Sequence, residues 1–170
     1  TRPMKKNILT ESLLAQKVQF YEALEIDHSD VIEKQVDVAI DASEHGNTLS
    51  AISNLNRIGL LLRDLKEVES TNIAAYRSLR KDLRNAKDDL GSFHGTRFEI
   101  SVAAQLCLRK VVFTKQDRPD FKIGNIGIEC TSCRKAGGKA DAERKFMEAV
   151  SKKNSMPYAS KDCILKIDVT

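Results

Sequence analysis

From Thr10 to Leu90 apolar residues return at steps of three and four, the spacing that lays them along one face of an α-helix. Four such stripes predict four helices. The first, behind a candidate N-cap at Thr10, carries Leu13, Leu14, Val18, Tyr21 and Leu24. The second carries Val31, Ile32, Val36, Ala39 and Ile40, and His45-Gly46-Asn47 then breaks the pattern. The third runs Leu49, Ile52, Leu55, Ile58, Leu62, Leu65, and the fourth Ile73, Tyr76, Leu79, Leu83, Ala86, Leu90. Opposite the fourth stripe stand Arg77, Lys81, Asp82, Arg84, Lys87 and Asp88, a face for water. Such stripes are packing seams: a helical hairpin, a dimer interface, or a lid over the C-terminal half. By themselves they carry no chemistry.

The period changes after Gly91. One more amphipathic helix is predicted over Gly95 to Arg109, with Phe98, Val102, Ala103 and Leu106 on one side. Short β-rich runs come after it at Lys110 to Thr114, Pro119 to Ile123 and Ile126 to Thr131, and Gly124-Asn125 makes a two-residue turn between the last two. A loop with Gly137-Gly138 comes next. A helix from Ala140 to Lys153 then buries Phe146, Ala149 and Val150 along one edge, and a last strand covers Cys163 to Val169. The expected class is α/β of the α+β kind: a helical region over residues 1–90 and an αβββαβ core over residues 91–170.

Composition narrows the function. The chain of 170 residues is 41% apolar, and its net charge of +4 is uneven. From Lys115 to Thr170 there are 12 Lys and Arg against 8 Asp and Glu, so the excess lies in the C-terminal third and suits a polyanion such as nucleic acid. No apolar run reaches the roughly 18–20 residues of a membrane span. With no signal segment, and four cysteines (Cys107, Cys130, Cys133, Cys163) too sparse for a disulfide scaffold, a cytoplasmic protein with reduced thiols is expected. The abrupt start at Thr1-Arg2-Pro3 suggests a piece of a longer chain. Cys130-Thr131-Ser132-Cys133 lacks the second pair that a zinc site needs, and His28, His45 and His94 are scattered.

Three carboxylates stand out by position. Glu99 falls in the first turns of its predicted helix, Asp120 follows Pro119 at the head of a strand, and Glu129 lies near the end of the next strand. If Ile123 faces Ile126 across the turn, counting outward sets Asp120 opposite Glu129, where directly opposed side chains meet. Carboxylates on neighbouring strands make an oxygen-rich pocket for Mg²⁺ or Mn²⁺. Arg118-Pro119-Asp120-Phe121 with Ile126-Gly127-Ile128-Glu129-Cys130-Thr131, after Gly95-Thr96-Arg97-Phe98-Glu99, resembles the PD-(D/E)XK nuclease superfamily over roughly residues 91–170. The resemblance implies a restriction-endonuclease-like core and a metal-dependent phosphodiesterase, with Glu99, Asp120 and Glu129 holding the metal.

The sequence departs from that pattern at one place, where Thr131 takes the position of the family lysine two residues after the second acid. The lysine orients water and steadies charge, and Thr supplies no cation. Relatives in the superfamily shift this lysine to other elements, which makes Lys145 the first candidate, Lys135 the second, and Lys122, on Asp120's side of its strand, a third. Thr131 is left to hydrogen-bond the water or a phosphate oxygen. Arg134, Lys135 and Lys139 would grip a phosphate backbone. The expected function is a Mg²⁺-dependent endonuclease acting on DNA, with a homodimer through the N-terminal helices. The alternatives are an inactive nuclease-fold module that binds nucleic acid, and a helical partner-binding or structural protein.

Overall fold

The computed structural model of the protein describes residues 8–133, 143, 144, 146–148, 150, 151 and 163–169. Five helices come first: α1 (Ile8–Leu24), α2 (Asp30–Glu44), α3 (Thr48–Thr71), α4 (Ile73–Asn85) and α5 (Leu90–Leu108). They are followed by β1 (Thr114–Lys115), β2 (Phe121–Ile123), β3 (Ile126–Cys133) and β4 (Cys163–Val169). The residues described between β3 and β4 over 143–151 are helical, so the chain is α+β and keeps the predicted element order. No helix among the described residues is long and apolar enough to cross a membrane.

Local chemistry sets the helix ends. Three C-termini close in the same way, with a left-handed residue just past the helix and paired backbone bonds back into its last turn. After α1 the left-handed residue is Glu25 (φ 52°), after α2 Gly46 (φ 79°), and after α5 Lys110 (φ 56°). At the last of these Lys110 N donates to Cys107 O at 2.9 Å and Val111 N to Leu106 O at 2.9 Å. This explains a correction: Lys110 and Val111 are consumed in ending α5, so the strand expected from Lys110 begins only at Thr114. Two helix starts also differ from the sequence pattern. Thr10 lies inside α1 rather than capping it. α5 begins five residues before Gly95, because Asp89 caps it through Ser92 N (2.6 Å) and Phe93 is buried 6.1 Å from the Phe20 ring.

One hydrophobic cluster runs from Leu13 on α1 through α5 to Ile128 on β3. α5 is its centre, since it meets α3 and α4 on one side and β3 on the other. The helical region and the sheet therefore share a core, and residue 90 marks the first residue of the helix that joins them. Each fully buried Leu, Ile or Phe here contributes roughly 1.5–3 kcal/mol. The apolar stripes mostly face this core, with exceptions. Leu14, Val18 and Leu49 are exposed, while Ala51, Leu61 and Val68 are buried. Around Leu60-Leu61-Leu62 α3 is apolar on adjoining faces, so spacing alone does not pick the buried one. Phe146, expected on a buried edge, is half exposed.

The sheet has the order β1-β2-β3-β4. β1, β2 and β3 are antiparallel neighbours, and β3 runs parallel to β4 with Glu129 beside Leu165.

Candidate active site

The β2–β3 hairpin fixes two of the acids. Ile123 pairs with Ile126, Lys122 with Gly127 and Phe121 with Ile128. One step further out stand Asp120 and Glu129, as the sequence register predicts. The turn holds because Gly124 takes a left-handed φ of 56°. Gly127 is required for a different reason: a Cβ there would stand 2.6 Å from Pro119 Cγ, so only glycine lets the Pro119 ring lie on β3. Asp120 is anchored on both sides. Its Oδ2 accepts a hydrogen bond from Cys130 N at 2.6 Å, and its carbonyl accepts one from Gln116 N at 2.9 Å. Both carboxylates are buried, Asp120 9% and Glu129 6% exposed, which is costly for such groups unless charge or hydrogen bonds compensate.

A residue that the sequence pattern does not single out joins them. Lys115, paired with Phe121 at the end of β1, projects over the Phe121 ring, 5.5 Å from its centroid. Its Nζ lies 3.0 Å from Glu99 Oε2 and 3.8 Å from Asp120 Oδ1, and donates to Gln116 O at 3.0 Å. The Lys115 side chain is 9% exposed. Glu99, expected in the first turns of its helix, reaches the site from the third turn of α5, because that helix starts early.

The electrostatics arise from this geometry. Burial, then the neighbouring Asp120 charge, push the Glu99 carboxyl up to about 7, against the pull of Lys115. Burial works against the Lys115 charge, but Glu99 and then Asp120 outweigh it and hold the ammonium raised. Burial, then Asp120, Glu99 and Glu129, push the Cys130 thiol up, so it stays a neutral thiol at the edge of the site. Asp82 on α4 adds negative charge to both Glu99 and Lys115.

The donors of this site are carboxylate oxygens, which suit a hard divalent cation. Among the described residues, however, the group with ligand atoms all within 4.8 Å of one another is His28, Asp30 and Asp88. Glu99, Asp120 and Glu129 do not close to that spacing, and the Lys115 ammonium pairs with both Glu99 and Asp120. The His28 cluster is exposed and lies on the α2 N-terminus, where Asp88 Oδ1 accepts from Asp30 N at 2.9 Å.

Of the other predicted residues, Thr131 is partly buried on β3, two residues past Glu129, and Lys122 is partly buried on β2 opposite Gly127. Arg134, Lys135, Lys139 and Lys145 lie outside the described residues. Cys163 sits beside Gly127 and Cys133 beside Val169, so these two cysteines occupy opposite ends of the β3–β4 pair rather than one cluster. His94 lies on α5, its ring edge-on to Phe93 at 6.3 Å. The signal that would have found Lys115 is the strand register, since Thr114–Lys115 pairing with Phe121–Lys122 sets Lys115 next to Asp120. Comparison of the chain with protein families, curated proteins and solved structures gives no match.

Proposed function

We propose that this chain is a metal-dependent phosphodiesterase that cleaves nucleic acid, DNA in the first instance, on a restriction-endonuclease-like core. The observation that carries the proposal is a lysine ammonium held between Glu99 and Asp120, one register step from Glu129, inside a sheet of the expected element order. Asp120, Glu129 and Glu99 would hold Mg²⁺ or Mn²⁺. When bound, that ion lowers the pKa of a water and offsets charge on the phosphate. Cys130 N fixes the rotamer of Asp120, and the packing of Pro119 on Gly127 fixes its backbone. Lys115 supplies the cation that Thr131 lacks. With the carboxylates engaged by metal, its ammonium is available to a phosphate oxygen or to the attacking water. Thr131 hydrogen-bonds the same water, and Arg134, Lys135 and Lys139 hold the backbone. A homodimer would use the exposed Leu14 and Val18 of α1.

One observation favours a second reading, an inactive nucleic-acid-binding module. The Lys115 ammonium already offsets Glu99 and Asp120, as an internal substitute for a metal would. Plasmid nicking and single-strand cleavage with Mg²⁺ or Mn²⁺ separate the two. The wild type is compared with Glu129→Ala, Lys115→Ala, Lys122→Ala, Lys135→Ala and Lys145→Ala. The proposal expects metal-dependent cleavage that falls roughly 10²–10⁴-fold in Glu129→Ala and Lys115→Ala. Cleavage lost in Lys145→Ala but kept in Lys115→Ala moves the catalytic cation to the helix after β3. No cleavage by the wild type on any DNA or RNA leaves the binding module.

A further inference from the structure

The helix beside the site has a face that the chemistry above leaves unused. α4 buries Ala75, Leu79 and Leu83 against the core. Its opposite face gathers Arg77, Arg80, Lys81 and Arg84 around one open groove of about 260 Å³, with Asn85 at its end. Arg77, Lys81 and Arg84 recur at i, i+4 and i+7, so they form one stripe roughly 10 Å long. Two members are pre-positioned. Arg80 Nε donates to Ala23 O at 2.8 Å, and Arg80 and Arg84 share Glu25 at 3.0 and 3.9 Å. Among the described residues Arg77 and Lys81 make no ion pair, so four cations face a single compensating carboxylate. A purely solvated helix face carries mixed charge, as α2 does with Lys34, Asp37 and Asp41. On α4 the one acid, the half-buried Asp82, stands off the basic stripe at the edge towards Glu99 and Lys115, and α4 packs directly on α5 and β1. The helix thus turns one edge to the acidic site and its crest to solvent with positive charge.

We propose that the crest of α4, through Arg77, Arg80, Lys81 and Arg84, is a track for the phosphodiester backbone of the nucleic acid whose scissile bond enters the Glu99–Asp120–Glu129 site. This deepens the phosphodiesterase reading and rests on it for the identity of the polyanion. A stripe about 10 Å long matches roughly three base-pair steps of a duplex axis at about 3.4 Å each. The guanidinium and ammonium groups there contact phosphate and read no base, so the track gives affinity and orientation without sequence preference. Glu25, paired with Arg80 and Arg84, weakens it.

The test is equilibrium binding by fluorescence anisotropy over a salt series, in EDTA so that nothing is cut. The labelled probes are single-stranded DNA, duplex DNA and single-stranded RNA. The proteins are the full chain, Arg77→Gln/Lys81→Gln, Glu25→Gln, and Lys34→Gln/Lys66→Gln as a control of equal charge change on other helices. The double α4 variant is expected to flatten the slope of log K against log salt by about 2 and to weaken binding to every sequence alike. Glu25→Gln is expected to tighten binding, and the control to match the wild type. Far-UV circular dichroism confirms that each variant is folded. Equal affinity and slope for wild type and the α4 variant overturn the track, as does binding to anionic lipid vesicles with none to nucleic acid. Binding that depends on α4 in a protein that never cleaves, with metal present, keeps the track and removes the phosphodiesterase reading.

Discussion

Replacing Lys115 with Met removes a charge that balances Glu99 and Asp120 while nearly conserving volume. The three side chains are 9%, 21% and 13% exposed, so solvent screens the exchange weakly. Breaking a buried pair by deleting one partner costs about 3–5 kcal/mol. At about 2–4 °C per kcal/mol for a chain of this size, that lowers Tm by roughly 6–20 °C. The loss also depends on pH in a defined direction. In the wild type Glu99 titrates near 7, raised by burial and by Asp120, and Lys115 is what keeps it from rising further. A carboxyl raised in the fold contributes its stability below its unfolded value and loses it as pH climbs through the folded value. At pH 5.5 both proteins carry a neutral Glu99 and differ mainly at Asp120. At pH 8.5 the wild type holds Glu99 ionised against Lys115, while the variant must keep it protonated or bury it unpaired. The difference between the proteins is expected to grow by about 2 kcal/mol between pH 7 and 8.5, at about 1.4 kcal/mol per unit. The chain has no Trp, so urea unfolding is followed by far-UV circular dichroism in EDTA at pH 5.5, 7 and 8.5. A destabilisation below about 1 kcal/mol, or one that is flat with pH, would refute the buried acid–lysine arrangement.

Other consequences come from single contacts. Gly127→Ala forces Pro119 away from a Cβ at 2.6 Å, and overpacking of this kind costs about 1–3 kcal/mol, read from the urea midpoint; an unchanged midpoint would show that the ring yields freely. Ser29→Ala removes the buried cap of α2, which accepts from Ile32 N at 3.3 Å and donates to Lys87 O at 2.6 Å. A loss of about 1–3 kcal/mol is expected, with a change under a few tenths counting against the contact. The advantage of wild type over Glu99→Gln in EDTA is expected to shrink as pH rises from 4.5 through 7, by up to about 3 kcal/mol, since ionising Glu99 opposes its burial; an advantage that grows over that range would reverse the assigned direction.

The helices are legible in the sequence because apolar steps of three and four survive in the finished packing of α2 and α4. α5 reads as shorter than it is since Gly91 and Gly95 look like breakers, whereas the Asp89 cap and the burial of Phe93 outweigh two glycines. The hairpin is legible to the residue, because a two-residue turn leaves one register and that register places Asp120 across from Glu129. Lys115 is not legible. The left-handed Lys110 displaces the strand by four residues, and only pairing across the sheet brings Lys115 beside Asp120. The same lysine pairs with Glu99 and Asp120, and the three carboxylates do not close as tightly as their order suggests. The basic stripe of α4 is visible as residues but not as a groove, since Arg80 and Glu25 join it only when α1 and α4 meet.

In the proposed site Glu99, Asp120 and Glu129 together hold one divalent cation. Calorimetric titration of Mn²⁺ into wild type, Asp120→Ala and His28→Ala at pH 7.5 measures it directly. One site per chain is expected in wild type and in His28→Ala, and its loss in Asp120→Ala. Binding that survives Asp120→Ala unchanged but disappears in His28→Ala would place the metal at the α2 N-terminus and contradict the claim.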